Sequence, residues 1–492
     1  MPDELEHGER SRRRRDRSPL RKSTRIIEWI GGGMLCLLAA VTPWLFGTTE
    51  EWSVQLVNIL TYAAGAIFAT AAILNRVVKR EDTFQRSRRD HLFSIVFFTL
   101  NLLVLGFCLV ALWNARATFS VFDQSFDYRE NFNSSLPTTY DADLTRETLF
   151  SLLACCVVFW CIRSWIFNGT RHFSESGSDN MLRNKRFLLL AWVISLNGMA
   201  VAMQGILQRL SNSSKLLWMR ESWWGTATAC FGPFSYRGNA AEYLNLIWPF
   251  ALGLWWILSR DRSRRQGSSR VFTDGPELLL IPSMVVMIAA CIVSLSRGGA
   301  IITAGCLVTI GTIFLIQKGT SMRARIGVLG FMVLVVATVS LLGWNLLVMR
   351  FRSDGLSNLS GREEIYRNAR QMAVDYPVFG IGPGAFRSVY HLYRQESKEV
   401  WHGFLHDDWM ETRVTFGWVG FVLIISHLVW LGIWCELPGR PRVFYAFSVC
   451  IGIGLAGALV HARFDFPFQT YSILYTFVVI AALLSTVSPA RK

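Results

Sequence analysis

The chain reads as an all-α protein, a polytopic transmembrane helical bundle of about twelve spans with one large outward-facing helical loop between late spans. Three observations predict this. Of 492 residues, 52% are hydrophobic and 17% charged, and the mean hydropathy is +0.32, too apolar for a soluble protein of this size. Apolar runs of roughly 18 to 25 residues recur from end to end, each long enough to cross a bilayer as a helix. The Lys and Arg residues cluster between those runs, in alternate loops. That placement also decides what the net charge of +15 means. It marks membrane orientation, and no nucleic-acid partner is expected.

Residues 1–25 form a basic cytoplasmic arm with nine Lys and Arg against five acidic residues. It reads as a tail and anchor, with nucleic-acid or specific lipid binding as the alternative. The arm is too long and basic for a cleavable signal peptide. Spans are predicted near 26–46, 54–75, 91–113, 147–168, 187–208, 238–258, 277–296, 299–317, 326–348, 411–435, 443–461 and 467–487. They group into an N-terminal transmembrane scaffold (26–186), central spans carrying an arginine motif (187–349), a large loop (350–410) and C-terminal spans (411–492). The arm and the loops around 76–89, 171–186, 260–270, 318–325 and 440–442 hold the clustered Lys and Arg. These loops are predicted cytoplasmic, with both termini, and the other set then faces the periplasm. Arg220, Arg297, Arg362 and His406 all fall on that other set. Nine of the ten cysteines lie in or beside apolar runs, without a CxxC pair, so neither a disulfide framework nor a zinc site is expected.

The longest polar interval runs from Ser360 to Glu411. Ser360 with Glu363 has the form of a capping box. Ile365, Ala369, Met372, Ala373 and Tyr376 recur at helical spacing until Pro377 stops the pattern. Gly380, Gly382 and Gly384 with Pro383 make a tight loop, without the spacing or βαβ setting of a dinucleotide fingerprint. A short amphipathic helix is predicted from Phe386 to Tyr393. The interval closes on His406-Asp407-Asp408-Trp409, before another span. A packed loop on a membrane scaffold is where chemistry is expected.

Four places carry candidate chemistry. Arg297 follows a short turn in Ser294-Leu295-Ser296-Arg297-Gly298-Gly299. It reads either as an interfacial anchor that snorkels to lipid phosphates or as an anion site that the two glycines leave approachable. Arg362 falls in the first turn of the capped helix, where free N–H groups and its planar fork suit phosphate oxygens; a surface pair with a neighbour is the alternative. His406 reads as an interfacial histidine, as a metal ligand with its aspartates, or as a catalytic or substrate-orienting group. Adjacent residues on a helix point about 100° apart, which makes the metal triad awkward. Phe231 to Tyr243 is a turn leading into a helix, and Arg237, Asn239 and Glu242 serve there either as caps or toward a ligand. Asp408 and Arg220 complete the supporting candidates. No metal or other cofactor is expected.

Together these pieces resemble the O-antigen ligase and O-antigen polymerase superfamily of bacterial membrane proteins. The matching stretches are 231–243, SLSRGGA at 294–300, SGREEIYRNARQMAVDYPVFGIGPGAF at 360–386, LHDDWMETRVTFGWVG at 405–420 and FDFPFQTYSILYTF at 464–477. The likeness covers residues 190–487. It implies a glycosyltransferase that moves a glycan from undecaprenyl diphosphate to an acceptor, lipid A-core or another glycan, at the periplasmic face of the inner membrane. By resemblance Arg297 and Arg362 hold the diphosphate and His406 is catalytic. Asp407 stands where the family often has Asn, Thr415 where a Glu is common, and Gly238-Asn239 at a frequent Asn-His pair. The partners implied are the lipid-linked donor, the acceptor and membrane lipids. Glycan polymerisation and protein O-glycosylation are alternatives within the class, and solute or anion transport is one outside it. A transporter would place polar or broken helices at the bilayer midplane. Here the ionisable residues gather at a boundary.

Overall fold

In hydrocarbon no water satisfies the backbone, so a spanning chain must bond its N–H and C=O groups within itself. The apolar runs accordingly form helices. The computed structural model describes residues 19–77, 88–170, 184–222, 225–265, 275–316, isolated helical positions between 322 and 337, 357–394, 403–436 and 442–487. The helices are α1 (Pro19–Val41), α2 (Glu51–Val77), α3 (Arg88–Trp113), α4 (Ala142–Thr170), α5 (Lys185–Leu210), α6 (Arg237–Arg265), α7 (Leu280–Val293), α8 (Arg297–Ile316), α9 (Ser357–Asp375), α10 (Phe386–Val389), α11 (Asp408–Glu436), α12 (Arg442–His461) and α13 (Tyr471–Thr486). Two small antiparallel hairpins interrupt the helices: β1 (Ala117–Ser120) with β2 (Ser125–Tyr128), and β3 (Lys215–Leu216) with β4 (Arg220–Glu221).

The protein is an all-α, multi-pass membrane protein. Among the described residues, nine helical stretches are long and apolar enough to span: α1 to α5, α7 together with the 3-10 turn Pro276–Leu279 that leads into it, α8, α11 and α12. Two further predicted spans exist as helices of a different character. α6 is 29 residues long, but Asn239, Glu242, Asn245 and Pro249 lower its hydropathy. It tolerates them because nearly its whole membrane length is buried, packed on α7 and α12. α13 has only 16 residues, since a 3-10 turn at Pro467–Gln469 precedes it. Most of the predicted span at 326–348 and most of the arm at 1–25 lie outside the described residues. Where the arm is described it is already helical, because α1 starts at Pro19 rather than near 26.

Helix-to-helix contacts sort the connections into two ends. At one end Arg186 Nη2 meets Glu28 Oε2 at 2.7 Å, and the other Glu28 oxygen accepts from Asn75 and Asn168. There too Arg163 Nη2 meets Asp90 Oδ1 at 3.0 Å and Arg262 Nε meets Glu277 Oε1 at 2.7 Å. At the other end Ser472 Oγ donates to Gly47 O, Arg209 Nη2 to Ser294 O and Asn239 Nδ2 to Thr470 Oγ1. The first end carries the basic connections of the sequence pattern; the second carries the others.

On that second end sits a small layer with its own core. Ile365, Ala369, Met372, Ile381, Phe386, Tyr390, Leu405 and Val414 are buried together. The layer is fastened by a break in α11. Gly417 has φ +63° and ψ −170°, which interrupts the helix. Segment 377–382 fills the gap: Ile381 N donates to Val414 O at 3.0 Å, Gly382 N to Thr415 O at 3.0 Å and Trp418 N to Pro377 O at 2.9 Å. The two backbones lie so close that a Cβ on Gly380 would stand 2.4 Å from Thr415 O, and one on Gly417 2.2 Å from Val378 O. Glycine is required at both places. The glycine-rich loop is thus a docking joint that aims α9. Thr145 Oγ1 donates to Pro383 O and Ser388 Oγ to Asp141 Oδ2, which tie it to the entrance of α4.

The local predictions on this stretch need two corrections. α9 begins at Ser357, so Ser360 and Glu363 lie inside the helix rather than at its start. The short helix after the loop is one α-turn, Phe386–Val389, followed by a 3-10 turn at Tyr390–Leu392.

Candidate active site

His406 ends the loop layer with φ +61°, a left-handed conformation that a non-glycine residue adopts at a cost of about 1–3 kcal/mol. The surrounding contacts hold it there. Tyr366 on α9 donates its hydroxyl to His406 O at 3.1 Å. The imidazole stands edge-on to Phe466 with centroids 4.7 Å apart. This turn directs the ring away from its sequence neighbours and toward the 461–471 connection. There His406 Nδ1 meets Asp465 Oδ1 at 3.1 Å. The other Asp465 oxygen accepts from Tyr236 at 3.0 Å. Tyr236 stacks on Phe466 at 5.2 Å, and Phe404 stacks on Phe466 at 4.7 Å. The carboxylate is therefore walled by rings and held at both oxygens, while the His406 side chain stays 26% exposed.

Burial alone would raise the Asp465 carboxyl. The His406 hydrogen bond outweighs it, together with the neighbouring His461 and the Arg362 guanidinium, and holds the group below the ordinary carboxylate range. Tyr236 moves the other way: burial pushes its hydroxyl up, and the Asp465 charge adds to that. Tyr236 stays a neutral donor and Asp465 an ionised acceptor.

The aspartates beside His406 do other work. Asp408 Oδ2 accepts from Phe468 N at 2.8 Å and its Oδ1 from Gln469 Nε2 at 3.2 Å, so it braces the turn before α13. Asp407 Oδ2 accepts from Arg463 Nη1 at 2.6 Å, and its Oδ1 caps α11 through Met410 N. Burial raises the Asp407 carboxyl, against these hydrogen bonds and the Arg463 charge. The carboxylate partner of His406 is thus 59 residues away, not next door.

Arg362 lies in the second turn of α9, not at its free N–H groups, because the helix starts earlier than predicted. Its Nη1 donates to Phe464 O at 3.0 Å, one residue from Asp465. Arg297 opens α8. Ser296 caps that helix by accepting from Gly299 N at 3.1 Å, and Asn245 Nδ2 donates to Gly299 O at 3.1 Å. A Cβ on Gly298 would stand 2.7 Å from His461 Nε2, so the arginine turn lies directly on the buried end of α12. His461 Nδ1 in turn pairs with Glu242 Oε2.

Of the predicted residues, the fold brings His406, Arg362, Arg297, Glu242 and Asn239 around the 461–471 connection. Arg237 opens α6 at the rim and donates to Thr228 O at 2.7 Å. Arg220 is engaged elsewhere, with Glu50 Oε1 at 3.1 Å and over the Phe46 ring. Asp465, Tyr236 and His461 had escaped the sequence reading. Two signals pointed to them: His461 and Asp465 are four residues apart, at the opening of the FDFPFQTY stretch. Among the described residues no cluster of three or more His, Cys, Asp or Glu could hold a metal ion.

This arrangement can accept a proton at an exposed imidazole, stabilise the imidazolium that results, and present arginines to an anion. Residues 282–425 match the family described as O-antigen ligase. That segment includes the Arg297 turn, α9 with Arg362, the glycine joint, and His406 with the first turns of α11. No curated protein matches the chain.

Proposed function

We propose that this member of the O-antigen ligase superfamily transfers a glycan from undecaprenyl diphosphate to an acceptor hydroxyl, lipid A-core or another glycan, at the periplasmic face of the inner membrane. The observation that carries the reading is the His406–Asp465 pair beside Arg362 and the Arg297 turn. Asp465 accepts the Nδ1 proton, which leaves Nε2 as the basic nitrogen facing the open side. The acceptor hydroxyl gives its proton to Nε2 as its oxygen bonds to the anomeric carbon. The bond from that carbon to the diphosphate oxygen breaks, and the diphosphate leaves with the electron pair. Attack from the face opposite the leaving group inverts the anomeric centre. A diphosphate leaves well once its charge is balanced, and Arg297 and Arg362 supply that balance as forked donors. The apolar spans keep the polyprenyl tail in lipid.

Orientation supports the same reading. The site lies at the end of the bundle away from the basic connections, which the Lys and Arg bias assigns outside the cytoplasm. Ligation, glycan polymerisation and protein O-glycosylation share this chemistry and differ in the hydroxyl that attacks. Lipid-linked glycan analysis of a deletion strain tests the reading. Accumulated polyprenyl-diphosphate glycan with unmodified acceptor supports transfer. An unchanged lipid-linked pool points to transport and sinks the proposal.

A further inference from the structure

Behind the His406–Asp465 pair lies a second, fully enclosed pair that the transfer step does not use. His461 is the last residue of α12, and Glu242 sits one turn into α6; their side chains are 1% and 0% exposed. His461 Nδ1 pairs with Glu242 Oε2. Its Nε2 has no hydrogen-bond partner among the described residues. That nitrogen faces two groups of the site. Asp465 Oδ2 is 4.0 Å away, and the Cα of Gly298 lies so close that a methyl there would stand 2.7 Å from it. The backbone reinforces the geometry, since Asp465 N donates to His461 O at 3.1 Å.

Burying this pair is costly unless it holds something in place. A structural clamp would use both ring nitrogens, as an ordinary buried histidine does. Here one is committed to Glu242, and the other is left against the carboxylate that orients the base. The imidazole cannot rotate, because Glu242 fixes Nδ1 and the Gly298 turn walls the opposite edge. Asp465 is thereby kept at the height where its Oδ1 meets His406 and its Oδ2 meets Tyr236.

We propose that His461, locked by Glu242 and walled by the Gly298 backbone, is a positioning residue that fixes the Asp465 carboxylate against His406. The proposal rests on the transferase reading of His406. A disturbance at either end of the imidazole therefore reaches the base. It also explains glycine at 298, where any side chain would displace Nε2.

The test uses the full chain in nanodiscs, with donor lipid extracted from the deletion strain and acceptor-bearing membranes of the same strain. Steady-state transfer is compared for wild type, His406→Ala, Asp465→Asn, His461→Gln, Gly298→Ala and the double variant His461→Gln/Asp465→Asn. A misplacement of catalytic groups of about 1 Å costs up to about 10²-fold, so His461→Gln and Gly298→Ala are expected to lose about 10- to 100-fold in kcat. The donor KM stays within about twofold, because the misplaced group acts on the chemical step. The double variant is no slower than Asp465→Asn alone, as one shared route requires. Wild-type kcat in His461→Gln overturns the proposal. So do losses that multiply with Asp465→Asn, or a donor KM that rises in step with the fall in kcat. If His461→Gln does not fold, Gly298→Ala carries the test with the ion pair intact; failure of both to fold assigns His461 to the scaffold and overturns the proposal. Wild type that transfers, with His406→Ala impaired and His461→Gln unimpaired, overturns this inference alone. Wild type that does not transfer overturns the transferase reading itself.

Discussion

The two ends of the bundle treat buried charge in opposite ways. At the basic end each buried carboxylate is matched by an arginine: Glu28 by Arg186, Asp90 by Arg163, Glu277 by Arg262. Those charges cancel within the protein and pin helices α1, α2, α4 and α5, α3 to α4, and α6 to the turn before α7. At the other end Asp407 still takes an arginine, Arg463, but the two carboxylates around the 461–471 connection go to histidines, Asp465 to His406 and Glu242 to His461. Arg362 there donates to a neutral carbonyl. Titratable bases are thus placed where the proposed transfer moves a proton. The Arg362 charge is placed where no carboxylate hydrogen-bonds it among the described residues. The difference separates scaffold from site more sharply than exposure does, since both sets are largely buried.

The largest effect expected on the scaffold side comes from Arg186→Ala. It leaves the Glu28 carboxylate buried with Asn75 and Asn168, and breaking a buried ion pair costs about 3–5 kcal/mol. Thermal unfolding in detergent should show a large fall in Tm, while the fraction that remains folded binds donor as wild type does. A variant that keeps its Tm and loses donor binding would erase the distinction between the ends.

Next in size are Arg297→Ala and Arg362→Ala. A hydrogen bond to a charged group is worth about 1.5–3 kcal/mol, or about one to two decades in donor affinity. Lysine at either position keeps the charge without the fork and recovers part of the loss. Arg220 is the control, because its exposed pair with Glu50 is worth about 0–1 kcal/mol and lies off the site. Donor binding by a fluorescent polyprenyl-diphosphate analogue measures all three. Equal loss in Arg220→Ala would show that the effect is one of net charge.

Asp465 gives a smaller effect confined to acid. Its folded value lies below the ordinary range, so the unfolded chain binds the proton first. Its contribution to stability is present above the unfolded carboxyl value of about 3.9 and is lost as pH falls through the lowered folded value. Wild type should therefore exceed Asp465→Asn in stability at neutral pH, and the gap should close in strong acid. A gap that widened below the unfolded value would reverse the sign and place the proton on Asp465. The smallest effect is an absent one. In the proposed reaction arginines balance the diphosphate, so EDTA should leave the transfer rate unchanged; loss restored by Mg²⁺ or Mn²⁺ would promote Asp407 and Asp408 to ligands.

Much of this architecture was legible in the sequence because membrane helices answer to length and apolarity. The charge alternation also put Arg220, Arg297, Arg362 and His406 on one set of connections, since parity of spans needs no tertiary detail, and the fold brings the last three around the 461–471 connection while Arg220 pairs with Glu50. What stayed hidden depends on backbone geometry. Asp407 and Asp408 looked like the partners of His406 because they adjoin it, and the left-handed turn at His406 sends its ring elsewhere. The joint between Gly380 and Gly417 was read only as a tight loop, because a helix break has no hydropathy signature. The β1–β2 hairpin was missed for a similar reason: four-residue strands carry too little periodicity to be read.

The central claim is that His406 takes the acceptor proton, and one paired measurement tests it most directly. Donor binding and single-turnover transfer are measured side by side on wild type and His406→Ala in nanodiscs. The account predicts donor affinity near wild type with transfer slower by about 10²–10⁴, the scale of a lost general base. Transfer at the wild-type rate, or a loss of transfer matched by the loss of donor binding, would contradict it.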